Sequence, residues 1–148
     1  MALLILSGAV NRTGVNDDFA NVSAAAATAN STVAEGAAGT NNSLSFVISL
    51  DRAADTDIYV DYDTIDGTAI STGATQDYLG VVLLPLPTVK IPKGSTQVTV
   101  SVLIVGDNAV EPDEDFIFRI SNARAVPTGG SPQTIGTSDA TGTIVNDD

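Results

Sequence analysis

Apolar and polar residues alternate one by one over much of this chain, a period of two that belongs to half-buried strands rather than helices. Across residues 43–50, Leu44, Phe46, Ile48 and Leu50 share one face, while Ser43, Ser45 and Ser49 take the other with Val47. Residues 57–63 bring Ile58, Val60 and Tyr62 together in the same way. Val98, Val100, Val102 and Ile104 line one long strand, Phe116, Phe118 and Ile120 line another, and a last strand covers residues 140–145. From Ser43 onward no run keeps a helical period. Short strands at spacings of roughly ten residues, separated by turn residues, predict an all-β, two-sheet antiparallel sandwich.

The breaks in the pattern carry information of their own. Asp66-Gly67 reads as a turn whose glycine tolerates positive φ, which assigns the Asp66 carboxylate to turn chemistry. In Leu83-Leu84-Pro85-Leu86-Pro87 the prolines cannot donate to a ladder, so residues 81–92 are expected to form an edge or a loop.

Residues 2–10 are strand-like and apolar on both faces through Leu6, and residues 11–16 are polar. We divide the chain into an extension, residues 1–22, and one sandwich, residues 23–148. An apolar strand is costly to leave in water, so the extension either pairs within its own domain or is donated to a neighbour's sheet. The opening residues have no basic n-region, and their apolar run is short for a secretory signal. No stretch approaches the ~20 apolar residues of a membrane span, so no membrane insertion is expected. Sequons begin at Asn11, Asn21, Asn30 and Asn41, and they bear on structure only in a eukaryotic secretory route.

Composition narrows the function classes. With 148 residues and 43% apolar content a full core can form, but aromatics are 5% and Trp is absent, so Val, Ile, Leu and Ala must supply most of it. A net charge of −12 repels phosphate backbones and anionic lipids, so no nucleic-acid partner is expected. The lack of Cys and His removes disulfides, thiol nucleophiles, His-based triads and the usual zinc and copper sites. Binding of hard cations remains, as does a merely solvating acidic surface; position must decide between them.

Several motifs, in order, resemble the Calx-beta domain family. The run Val60-Asp61-Tyr62-Asp63-Thr64-Ile65-Asp66-Gly67-Thr68-Ala69 followed by Asp77-Tyr78 looks like its strand, Asp-Gly-Thr-Ala turn and Asp-Tyr pair. Thr32-Val33-Ala34-Glu35-Gly36, the acidic stretch from Asp107 to Phe116, and the closing Ala140-Thr141-Gly142-Thr143-Ile144-Val145-Asn146-Asp147-Asp148 match in sequence order. The resemblance covers residues 23–148. It implies an immunoglobulin-like sandwich of about seven strands whose loops gather carboxylates around Ca²⁺ at one end. The ligands it implies are Glu35, Asp77, Asp107, Glu111, Glu114, Asp147 and Asp148.

Strand physics agrees with that placement, since adjacent antiparallel strands return to the same edge of a sandwich and bring distant acids together. Two departures weaken the match: Gly106-Asp107-Asn108 and Asn146-Asp147-Asp148 stand where many members have acidic triplets. Fewer ions or weaker affinity should follow. The reading is a non-enzymatic, calcium-binding, extracellular or cell-surface module, structural or adhesive, joining copies of itself into an oligomer or filament through the N-terminal strand. The alternatives are a calcium-sensing regulatory domain and a carboxylate-pair glycoside hydrolase. The hydrolase would need aromatic sugar platforms, and most of the few aromatics here fall in strand patterns.

Overall fold

The strand pattern is realised in a computed structural model that describes residues 21–26, 32–81, 85–126 and 132–148. Strand β1 (Val22–Ala26) lies against β3 (Asn41–Leu50), β2 is Thr32–Ala34, and β4 is Ile58–Asp66. Then come β5 (Thr88–Ile91), β6 (Gln97–Val105), β7 (Glu114–Arg124), β8 (Ile135–Thr137) and β9 (Asp139–Val145). One sheet has the order β6-β3-β1-β8 and the other β2-β9-β7-β4-β5. The sandwich is the expected one. It shows nine strands among the described residues instead of about seven, because β2 and β8 have three residues each and are too short to display an alternation.

Each long strand turns the anticipated face inward. Leu44, Phe46, Ile48 and Leu50 of β3 are buried, as are Ile58 and Val60 of β4, Val102 and Ile104 of β6, and Phe116, Phe118 and Ile120 of β7. Between the sheets an aromatic file crosses the core. Tyr62 stacks on Phe118, Phe118 on Phe46 at 4.5 Å, Phe46 meets Phe116 edge-on, and Phe116 stacks on Tyr78 at 4.2 Å. Tyr78 ends this file fully buried, next in sequence to Asp77. Tyr78 therefore packs in the core rather than lining the cleft beside Asp77.

Asp66 behaves as a turn residue: its Oδ1 accepts from the Ser71 amide at 3.0 Å and from the Tyr78 hydroxyl. Gly67 is needed for a different reason from the one expected. It is not among the residues with positive φ; a Cβ there would lie 2.3 Å from the Asp115 carbonyl oxygen of the adjacent β7. Closeness of two backbones, which a turn motif does not reveal, excludes the side chain.

The proline-rich stretch behaves as read, in that β5 is the edge of its sheet; residues 82–84 lie outside the described set. The extension's apolar residues 2–10 also lie outside it. Among the described residues no helix is long and apolar enough to cross a membrane.

Candidate metal centre

Three loops and one chain segment meet at the end of the sandwich where β2, β6 and β9 finish. β2 runs parallel to β9, with Ala34 opposite Val145, and the ladder continues as the Glu35 amide donates to the Val145 carbonyl at 2.9 Å. That carries Glu35 past the sheet edge beside the closing acids. Its side chain is buried, at 4% exposure. One carboxylate oxygen accepts from the Asp107 amide at 3.2 Å, and the other from the Asn146 side-chain amide at 3.4 Å.

The loop after β2 and the loop after β6 touch backbone to backbone. A Cβ on Gly106 would lie 2.1 Å from the Gly36 carbonyl oxygen and 2.7 Å from that of Ala37. Gly36 itself has φ +86, a conformation glycine adopts readily and other residues rarely do. This contact accounts for one position of the first departure from the family pattern: the place ahead of Asp107 is closed to any side chain, so no acid can stand there. Asp107 then caps its own turn, accepting from the Ala109 amide at 2.6 Å.

Asp77 arrives from the opposite side. Its carboxylate accepts from the Ile70 amide at 2.6 Å, while its main chain bonds Ile70 and Val105. Glu114 opens β7, and Glu111 and Pro112 precede it in the loop after β6.

From these placements two carboxylate triads result, Glu35 with Asp107 and Asp148, and Asp77 with Glu111 and Glu114. In each, one oxygen from every residue lies within 4.8 Å of the others. Glu35, Asp77, Glu111, Glu114 and Asn146 line a common cleft, so the triads adjoin. Six of the seven acids singled out from sequence are thus brought into two groups. The seventh, Asp147, lies in neither; its Oδ1 accepts from the Gly36 amide at 2.8 Å and pins the glycine turn.

Sequence reasoning missed Asn146, noticing it only as a missing acid. Its side chain donates to Glu35 and to the Ala109 carbonyl at 2.9 Å, and its backbone amide donates to Asp113, so it ties the closing segment to the loops after β2 and β6. Its position in the closing run was the only available signal. Asp113 and Asp115 stay outside the triads, Asp115 accepting from the Thr143 hydroxyl at 2.6 Å.

Electrostatically the cluster strains against itself. Burial, then the charge and hydrogen bond of Asp77, then the charges of Glu111 and Glu35, push Glu114 up to about 7. Glu35 is raised as well, mainly by burial and then by Asp107 and Glu111, against the lowering effect of the Asp107 amide. The described ion pairs lie elsewhere, Lys90 with Asp57, Arg119 with Asp139 and Arg124 with Asp61. Oxygen donors alone, converging at such distances, suit a hard cation such as Ca²⁺, which takes about six to eight oxygens at ~2.3–2.6 Å.

The Calx-beta domain family model matches residues 25–148. The chain belongs to the Calx-beta domain family. No curated protein sequence matches it. Among solved structures, this Calx-beta domain is similar to the apo-form Calx CBD1 domain, at 22% identity and TM-score 0.59, over 88% of this chain and 100% of that one. It is also similar to CBD12 from CALX1.2, at 24% identity and TM-score 0.58, and to the calcium binding domain CBD12 of CALX1.1, at 27% and 0.55. Each of these last two likenesses covers 79% of this chain and 41% of the other. The likenesses at 22% and 24% speak for the fold.

A raised carboxyl has a definite linkage sign. The ion-free folded protein holds the Glu114 proton more tightly than the unfolded chain does, so this group favours folding below the unfolded value, about 4.3, and loses that contribution as pH rises to about 7. A cation displaces the same proton. Calcium binding is therefore expected to release more protons at pH 6 than at pH 8.5. Calorimetric titration in two buffers of different ionisation enthalpy measures the difference; an equal proton count at both pH values would mean that Glu114 carries no raised proton for the cation to displace.

Proposed function

We propose that this Calx-beta domain binds Ca²⁺ at two adjoining sites, and that bound calcium locks its loops for a structural or adhesive role in an extracellular or cell-surface assembly, without catalysis. The observation that carries the calcium reading is the pair of carboxylate triads. Like charges held this close raise one another's protonation and loosen the loops that bear them, and a divalent ion reverses both effects. The first triad would take an ion through Glu35, Asp107 and Asp148, and the second through Asp77, Glu111 and Glu114, with Asn146 and Asp147 as positioning residues.

A calcium-sensing role is the second reading, favoured by the likeness to the calcium binding domain CBD12 of CALX1.1. A hydrolase fits less well. Tyr62, Tyr78, Phe46, Phe116 and Phe118 form the core file and leave no stacking platform at the cleft among its described lining residues.

Position-specific substitution tests the sites. Asp77→Asn and Glu111→Gln should each weaken calcium binding by on the order of tenfold or more, which is about 1.4 kcal/mol. Asp55→Asn, in the exposed loop between β3 and β4, should leave it unchanged. Titration calorimetry separates them, and three indistinguishable isotherms would refute the assignment.

A further inference from the structure

The charge on this protein is distributed unevenly between its sheets. No residue of β1, β3, β6 or β8 is charged, whereas β4, β5, β7 and β9 all carry Asp, Glu, Lys or Arg. The outer face of the four-stranded sheet carries Ser43, Ser45 and Ser49 with Thr99 and Ser101, beside the apolar Val47 and Leu103, and the Ser45 and Ser101 hydroxyls bond across it at 3.0 Å. On a chain of net charge −12, this is where two copies can approach without repelling.

The sheet edges differ as sharply. Open edges are usually blunted by shortness, charge or proline. β2 and β8 have three residues each, and β5 has four, with Lys90 in it and Pro87 and Pro92 beside it. β6 has none of these defences. It runs for nine residues without charge or proline, paired to β3 in unbroken register from Gln97 to Val105.

Part of its outer side is occupied. The Leu79 amide donates to the Leu103 carbonyl, and the Val105 amide to the Asp77 carbonyl. Because backbone groups alternate sides in an antiparallel strand, Gln97, Thr99 and Ser101 present theirs to the same side as Leu103 and Val105. Among the described residues nothing outside the strand ladder bonds to β6 there. The open stretch is about as long as an average strand.

We infer that this edge of β6 receives residues 2–10 of a second copy as an added strand. Leu3, Leu4, Ile5 and Leu6 supply the apolar, uncharged sequence that an uncharged edge accepts. The chain enters the described fold at Asn21, ahead of β1 in this same sheet, and β1 lies two strand spacings from β6, roughly 10 Å. The ten residues 11–20 span up to about 33 Å, more than return to the same molecule requires and enough to reach a neighbour. The donor and receiving surfaces are different patches, so successive copies join head to tail. The inference deepens the assembly part of the proposed function and rests on it, independently of the calcium sites.

Complementation of two full-length variants tests it. Thr99→Pro removes an outward amide and leaves the β3 ladder intact, so that copy keeps its strand but loses its edge. Leu4→Asp with Leu6→Asp disables the strand and leaves the edge. By light scattering the unsubstituted protein should grow several-fold in mass with concentration, and each variant alone should stay monomeric. An equimolar mixture should give twice the mass of one chain and nothing larger. If Thr99→Pro fails to fold by circular dichroism, Ser101→Lys takes its place. An unsubstituted protein monomeric at every concentration, a Leu4→Asp, Leu6→Asp protein that still assembles, or a mixture that stays monomeric would each overturn the inference. A calcium-induced thermal shift that persists in the monomeric variants shows that the calcium reading stands or falls separately.

Discussion

Chelating calcium is expected to lower the thermal midpoint of this domain by on the order of 15 °C relative to saturating Ca²⁺. An ion that binds only the folded state at one hundred times its dissociation constant contributes ~2.7 kcal/mol, and two such sites contribute about twice that. For a chain of this size the unfolding entropy near 60 °C converts those energies to a shift of about that extent. The loops that carry the six triad carboxylates are tied by a few hydrogen bonds, such as Asp107 to Glu35, Ala38 to Asn108 and Gly36 to Asp147, and the ions would add charge-compensated cross-links between the same loops. Mg²⁺ should substitute poorly, because it demands a tighter octahedron and keeps its waters. Scanning calorimetry with calcium, magnesium and chelator measures all three states. Superimposable melts would end the calcium proposal.

The second large effect lies in the core. Phe116→Ala should cost about 3–5 kcal/mol, a shift of roughly 10–15 °C, by opening a cavity between the sheets. Phe116 is fully buried and holds Phe46 edge-on and Tyr78 face-on, so its removal severs Tyr78 from the rest of the aromatic file. A domain's whole stability is only ~5–15 kcal/mol. The ion-free variant should therefore keep a much smaller stability margin, and millimolar calcium should widen it by mass action. Denaturant titration with and without chelator reads both numbers. A loss below about 1 kcal/mol would mean that Tyr78 and Phe46 close the gap and that the file is not a structural unit.

Sequence reading succeeded where a strand was long enough to repeat itself. Leu44 through Leu50 and Val98 through Ile104 announce their buried faces because a period of two, sustained over several residues, has one physical cause. β2 and β8 could not be seen this way, nor could the passage of the chain from one sheet at β1 to the other at β2. The acids were legible as a set because motif order and strand return both place them at one end. Their division into two triads was not, since it depends on which loop backbone meets which. Gly106 closes off an acid through contact with Gly36, and Asn146 and Asp147 bond residues 111 positions away. Contacts between distant residues of unremarkable type leave no trace in local pattern.

The parallel pairing of β2 with β9 has a mechanical consequence. A pull that draws the chain out ahead of Thr32 and away beyond Asp148 drags these two strands in opposite directions along their length. The ladder from Thr32–Thr143 to Ala34–Val145 is then loaded in shear, every bond at once, where an antiparallel pair pulled from one end would open one bond at a time. Glu35 and Asp148, just past the last rungs, share a triad. An ion held between them would act as a rivet at the point where tension enters, making resistance to force depend on the calcium of the surroundings.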